Sequence, residues 1–125
     1  RLSHPPRTLR VGALIPNPVL CLANGKQVRL DDVLDGSPAM VTARPPDADL
    51  LALCRRHGIT PVRITTEAAT SADTAWVDAG LAPGRTTRLQ ALADDPSLTV
   101  LVRPDRVIAA VATQFQPPRP PWIVF

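Results

Sequence analysis

Hydrophobic positions along the chain gather in short runs of four to six residues divided by turn-forming residues, with one longer stretch at helical spacing. Val19-Leu20-Cys21-Leu22 is the first run, Ala23-Asn24-Gly25-Lys26 carries an Asn-Gly pair that tolerates positive φ, and Gln27-Val28-Arg29-Leu30 returns, which predicts a β-hairpin. Asp31 or Asp32 is expected to cap a short helical turn through Leu34 that ends near Gly36. Pro38-Ala39-Met40-Val41-Thr42-Ala43 reads as a buried strand. The clearest helix follows Pro45-Pro46. Asp47 is its expected N-cap, and Leu50, Leu53, Cys54 and His57 recur at helical spacing. Arg55, Arg56 and His57 suit the negative C-terminal end, and Gly58 supplies a left-handed stop. Pro61-Val62-Arg63-Ile64-Thr65 then completes a strand, helix, strand unit, which normally gives a parallel pair with a right-handed crossover.

Beyond this unit, Thr66 to Thr74 is small and polar, the profile of a loop. Ala75-Trp76-Val77 predicts a brief strand ending in an Asp78-Ala79-Gly80 turn, and Thr87 is expected to cap a helix that carries Leu89, Leu92 and Ala93 to a stop at Asp94-Asp95-Pro96. Leu98-Thr99-Val100-Leu101-Val102 and Val107-Ile108-Ala109-Ala110-Val111 flank Arg103-Pro104-Asp105-Arg106, where Pro and Asp fit the central positions of a type I turn. These runs are expected to pair as an antiparallel hairpin. At the ends, Pro5, Pro6, Pro16 and Pro18 favour an extended leading segment, and Pro117-Pro118-Arg119-Pro120-Pro121 favours polyproline II before Trp122-Ile123-Val124-Phe125. The pattern divides the chain into a leading segment (1–18), an α/β domain (19–113) with a central mixed β-sheet flanked by helices, and a Pro-rich tail (114–125).

Composition narrows the classes of function. At 125 residues the chain suits one domain with a genuine core. Because it opens with Arg1 rather than Met, a domain of a longer protein is expected. The longest apolar run falls short of a membrane span, and no apolar signal stretch follows the basic start, so a cytoplasmic domain without a membrane role is expected. The net charge of +3 comes from arginines scattered among 11 acidic residues. With no basic cluster interleaved with aromatics there is no stacking platform, and nucleic-acid binding is not expected.

Candidate chemistry is sparse. Cys21 and Cys54 lie far apart, which excludes a CxxC pair, and both sit in apolar runs that suit core packing. His4 and His57 have no Cys or carboxylate at ligand spacing, so no metal site is expected. Asp31-Asp32 and Asp94-Asp95 adjoin helix ends, where Asp serves local hydrogen bonding rather than paired acid and base chemistry. Ser3, Ser37, Ser71 and Ser97 fall in turns or loops outside any GxSxG elbow. Arg103 and Arg106, at the hairpin turn, are candidates for contact with another domain or for plain solvation.

Taken in order, Gly12-Ala13-Leu14-Ile15-Pro16-Asn17-Pro18, Gly25, Val28-Arg29-Leu30-Asp31-Asp32-Val33-Leu34, Val77-Asp78 and Val100-Leu101-Val102-Arg103-Pro104-Asp105-Arg106 with Val107 to Ala112 resemble the C-terminal region of FAD-dependent aromatic hydroxylases. The likeness is greatest to the 3-(3-hydroxyphenyl)propionate hydroxylase branch. Around Ala82-Pro83-Gly84-Arg85-Thr86-Thr87 the sequence departs from that pattern.

The resemblance implies a thioredoxin-like domain placed after the FAD-binding and substrate domains of an enzyme that uses NAD(P)H and oxygen. No GxGxxG fingerprint opens a helix here, so neither FAD nor NAD(P)H is expected to bind this chain. Thioredoxin chemistry needs a Cys at the start of the helix after the central strand, and Arg44-Pro45-Pro46-Asp47 stands there instead. These features together imply a noncatalytic accessory domain that packs on its own enzyme or in a homodimer, with Arg103, Arg106, Trp122, Ile123 and Phe125 as candidate interface residues. The alternatives are a free-standing thiol oxidoreductase, or an adaptor acting through the Pro-rich tail.

Overall fold

A computed structural model describes residues 9–66, 69, 75–82 and 89–112. The tail with Trp122, Ile123 and Phe125, the leading residues with His4, and the expected cap Thr87 lie outside the described residues. The elements in chain order are β1 (Val19–Leu22), β2 (Gln27–Arg29), α1 (Leu30–Leu34), β3 (Ala39–Thr42), α2 (Ala48–His57), β4 (Thr60–Thr65), β5 (Val77–Leu81), α3 (Gln90–Ala93), β6 (Thr99–Val102) and β7 (Ile108–Ala112).

The strands form one mixed sheet in the order β2-β1-β5-β4-β3-β6-β7. β3, β4 and β5 run parallel to one another, and antiparallel hairpins extend the sheet on both sides. The two-residue period of the strands sorts side chains to two faces. Ala39, Val41, Val62, Ile64, Val100 and Val102 join Leu30 and Leu34 of α1 and Leu92 of α3 in the larger core cluster. Met40 and Leu101 point the other way and pack with Leu50 and Cys54 of α2. All four residues of β3 and of β6 are buried, as expected of strands covered on both faces.

The central unit follows its local signals. Asp47 accepts from the Leu50 amide at 2.8 Å as N-cap of α2, and Gly58 ends the helix at φ 66 with its amide on Cys54 O. The turn before β7 closes through the Arg106 amide on Arg103 O at 2.9 Å, with Arg106 at φ 67. That is a type I turn followed by a left-handed residue. The first hairpin is built alike: Gly25 donates to Leu22 O at 2.9 Å and takes φ 85, with Asn24 one position earlier.

Four expectations need correction. Asp78, Ala79 and Gly80 do not form a turn but lie inside β5. Asp and Gly are weak strand formers, and pairing to β4 on one side and β1 on the other overrides that preference. α1 begins at Leu30, ahead of both aspartates. Asp32 caps it backwards by accepting from the Arg29 amide at 3.2 Å, and Asn17 Oδ1 accepts from the Asp31 amide at 2.8 Å. α3 is a single turn in which Leu89 is the N-cap rather than a helical residue. Finally, the leading segment is more than an extended approach: Leu9 and Ile15 are buried in the core, and Leu14 bridges Val107 in the sheet.

Candidate functional site

The place to look for thioredoxin-type chemistry is the junction where β3 ends and α2 begins, and a clamp occupies it. Thr42 Oγ1 donates to Arg44 O at 2.8 Å, tightening the chain as it leaves the strand. The Arg44 guanidinium then reaches across to the loop before β6. Its Nη1 donates to Pro96 O at 3.0 Å and to Leu98 O at 3.3 Å, and its Nη2 to Thr99 Oγ1 at 2.9 Å. A planar fork of donors suits this set of convergent oxygens. The clamp ties together two loops that flank the sheet's C-terminal edge, and no thiol, imidazole or carboxylate other than the N-cap Asp47 lies on residues 42–47.

Cys54 sits two turns further along α2, not at its start. It is 1% exposed within the Met40, Leu50, Ile59 and Leu101 cluster, and burial pushes its thiol up to about 11. The helix N-terminus that would stabilise a thiolate is too distant to act. A cavity of about 310 Å³ lies beside it, lined by Leu51, Cys54, Arg55, Ile59, Pro61 and Ala75. Its walls are largely apolar, and burial favours the protonated form of the thiol. Cys21 is half-buried on strand β1, whereas Cys54 is on helix α2. Among the described residues no three of His, Cys, Asp and Glu gather as metal ligands, and no helix is long and apolar enough to cross a membrane.

Among the described residues the most buried ion pair is one that sequence reasoning missed. Arg63 and Asp78 stand opposite each other in the parallel β4 and β5 pair. Their fork is bidentate, Nε to Oδ1 at 2.6 Å and Nη2 to Oδ2 at 2.9 Å, with the Asp78 side chain 0% and Arg63 17% exposed. The Arg63 guanidinium also lies over the Trp76 ring at 5.8 Å. Both residues alternate away from Val62, Ile64 and Ala79, so the pair lies on the face that carries α2. The available signal was an Asp inside an otherwise apolar segment, which calls for a buried partner.

The hairpin arginines are held by local carboxylates. Arg103 Nη2 meets Asp105 Oδ2 at 2.9 Å with both side chains about half exposed, and Arg106 Nε meets Asp31 Oδ1 of α1 at 3.3 Å. The structure brings these two residues to one hairpin tip.

Comparison with known proteins accords with this geometry. The family described as HcaD C-terminal domain matches residues 12–119. No curated protein matches the chain in sequence. Among solved structures, a putative electron transfer protein from Aquifex aeolicus VF5 is similar with a TM-score of 0.60 at 16% identity, over 86% of this chain and 90% of that one. A thioredoxin-like protein from Bacteroides caccae ATCC 43185 is similar with a TM-score of 0.58 at 12% identity, over 83% of this chain and 46% of that one. The flavin-dependent monooxygenase PieE, solved with FAD and substrate, is similar with a TM-score of 0.54 at 19% identity, over 89% of this chain and 18% of that one. Likeness at these identities shows the fold, which is thioredoxin-like.

Proposed function

The chain belongs to the HcaD C-terminal domain family, and from that premise we propose that it is the noncatalytic C-terminal accessory domain of an FAD-dependent aromatic hydroxylase. In that reading the parent resembles 3-(3-hydroxyphenyl)propionate hydroxylase and uses NAD(P)H and oxygen on a phenolic ring, while this domain packs on the FAD-binding and substrate domains or on a second copy. The observation that carries the proposal is the Arg44 clamp. In a thioredoxin-like frame the residue after the central strand governs redox chemistry, and here an arginine is spent on two carbonyls of the facing loop and the hydroxyl of Thr99 at the start of β6. The likeness to an 18% portion of PieE supports the placement, since there the same fold is a minor part of a longer flavoenzyme.

FAD and NAD(P)H belong to the parent in this reading. The residues present do not fit either group: none of the helices opens on a GxGxxG loop that would cradle a pyrophosphate. Arg103, Arg106, Trp122, Ile123 and Phe125 are proposed as interface residues, the last three as a hydrophobic tip on a stiff Pro-rich arm. The test is the reading frame ahead of Arg1 together with the absorbance of the purified full-length chain. A GxGxxG-bearing domain upstream and a flavin spectrum are expected. A start codon immediately before Arg1 would sink the proposal, as would reduction of insulin disulfides by this chain above background.

A further inference from the structure

Asn24-Gly25, at the turn of the first hairpin, carries a chemistry that the accessory-domain reading does not use. A backbone nitrogen that follows asparagine can attack the side-chain amide, and glycine leaves that approach unhindered because it has no Cβ. The chain has one other asparagine, Asn17, and Pro18 after it has no N–H to lose. Residues 23–27 are all exposed, so water and base reach the turn.

The folded turn withholds the nucleophile. Leu22 N donates to Lys26 O and Gly25 N to Leu22 O, each at 2.9 Å, and Gly25 takes φ 85. This is a type I turn followed by a left-handed residue, and it sets ψ of Asn24 at about 0°. Closing a five-membered ring requires the Gly25 nitrogen to swing towards Asn24 Cβ, which breaks its bond to Leu22 O. Removing the Gly25 proton in place would also leave an anion facing that carbonyl's lone pairs. One bond acts in the other direction: Lys26 N donates to Asn24 Oδ1 at 2.9 Å and polarises the amide. That activation is present in the closed turn, where the nucleophile is held elsewhere, so the held nucleophile decides the outcome.

We infer that Asn24 is a deamidation site gated by the β1–β2 hairpin, closed in the folded chain and opened when β2 leaves the sheet edge. β2 is three residues long, ends the sheet and pairs with β1 alone among the described strands, so it belongs to the elements that separate at least cost. Once it separates, the Gly25 N–H proton passes to solvent base and the nitrogen attacks Asn24 Cγ. The Cγ–Nδ2 bond breaks, ammonia leaves with a proton from water, and a cyclic imide remains. Water then adds to either imide carbonyl, leaving an aspartate or an isoaspartyl link at position 24. The isoaspartyl link adds a carbon to the main chain between Leu22 and Lys26, so the hairpin cannot close again in its native register.

The test incubates the full chain in mildly alkaline buffer, folded and in urea, and follows the tryptic peptide Val11–Lys26 by mass and by isoaspartyl methyltransferase labelling. Conversion is expected in urea at Asn24 and not at Asn17. The folded chain should convert at least roughly tenfold more slowly, the ratio matching the open fraction that hydrogen exchange gives for the Gly25 amide. That amide should exchange faster than those of buried β3, and the separated isoaspartyl form should melt below the unmodified chain. Equal rates in the folded chain and in urea would overturn the inference, as would a folded rate above the open fraction or no reaction in urea. A Gly25 amide that exchanges only together with β3, or an isoaspartyl form as stable as the unmodified chain, would overturn it too.

Discussion

Arg106 takes φ 67 at the hairpin position where Gly25 takes φ 85 in the other hairpin. An L side chain there costs on the order of 1 kcal/mol, and its half-exposed contact with Asp31 returns about 0–1 kcal/mol. Replacing Arg106 with Gly should therefore leave the urea midpoint unchanged or slightly higher. A loss above about 2 kcal/mol would mean that the side chain organises the hairpin after all. Cys54 makes the opposite case, a residue whose surroundings remove its chemistry. Burial raises its thiol from 9.0 to about 11, so the folded state holds the proton more tightly than the unfolded state does. The associated stability is full below pH 9 and is lost as pH rises through about 11, so Cys54→Ala should flatten the alkaline fall in stability. In the native chain Cys54 should resist DTNB and react once urea is added. Rapid native labelling would show an open helix face. The core role of Cys54 was legible from helical spacing alone. The strain at Arg106 was not, because nothing in Arg103-Pro104-Asp105-Arg106 states that the turn is followed by a left-handed residue.

At the scale of elements, two tertiary contacts replace what local preference leaves undone. The Arg44 clamp joins the β3–α2 junction to the loop before β6, segments more than 50 residues apart. Arg44→Ala strands three acceptors and should cost about 2 kcal/mol by chemical denaturation, with Arg44→Lys losing less because it keeps the charge but not the fork. Equal losses for the two variants would mean that the fork geometry carries the effect. The Arg63 and Asp78 pair satisfies the buried carboxylate that β5 carries between its neighbour strands. Asp78→Ala should cost roughly 3–5 kcal/mol by leaving Arg63 without its main partner in a mostly buried site. Combining Arg63→Met with Asp78→Leu would recover most of that if the pair serves packing rather than specificity, and a double-mutant cycle reads the difference. The α2 caps, the β3 and β6 strands and both hairpin turns could be read locally, since Asp47, Gly58, Asn24-Gly25 and Pro104-Asp105 each carry their own backbone preference. The helix at Leu92 and Ala93 was also legible, and only its length was not; β5 was not legible, because Asp78 and Gly80 are unfavourable in a strand until β4 and β1 pair with them.

For the whole molecule, the accessory-domain reading predicts that this chain purified alone is colourless and inert toward insulin disulfides. A bound flavin surviving gel filtration would contradict it. Deleting residues 117–125 addresses the tail: if it is a docking arm, the shortened chain keeps its melting temperature and loses association with the parent or a second copy. A fall of several degrees with association intact would place the tail in this domain's own core.

The sequence by itself determined a mixed α/β class, the parallel β3-α2-β4 unit and the closing hairpin, each written in residues adjacent in the chain through period, caps and turn chemistry. That the frame is thioredoxin-like, with no cysteine where redox chemistry would need one, was implied by the resemblance of its ordered motifs to a family. Only the tertiary structure decided that Arg44 spans two loops, that Asp78 is buried against Arg63, that Leu9 and Ile15 belong to the core and that Val11 and Leu14 remain outside it. These depend on which distant segment arrives opposite a given residue. Partner and burial follow from strand order and register, which no local preference encodes.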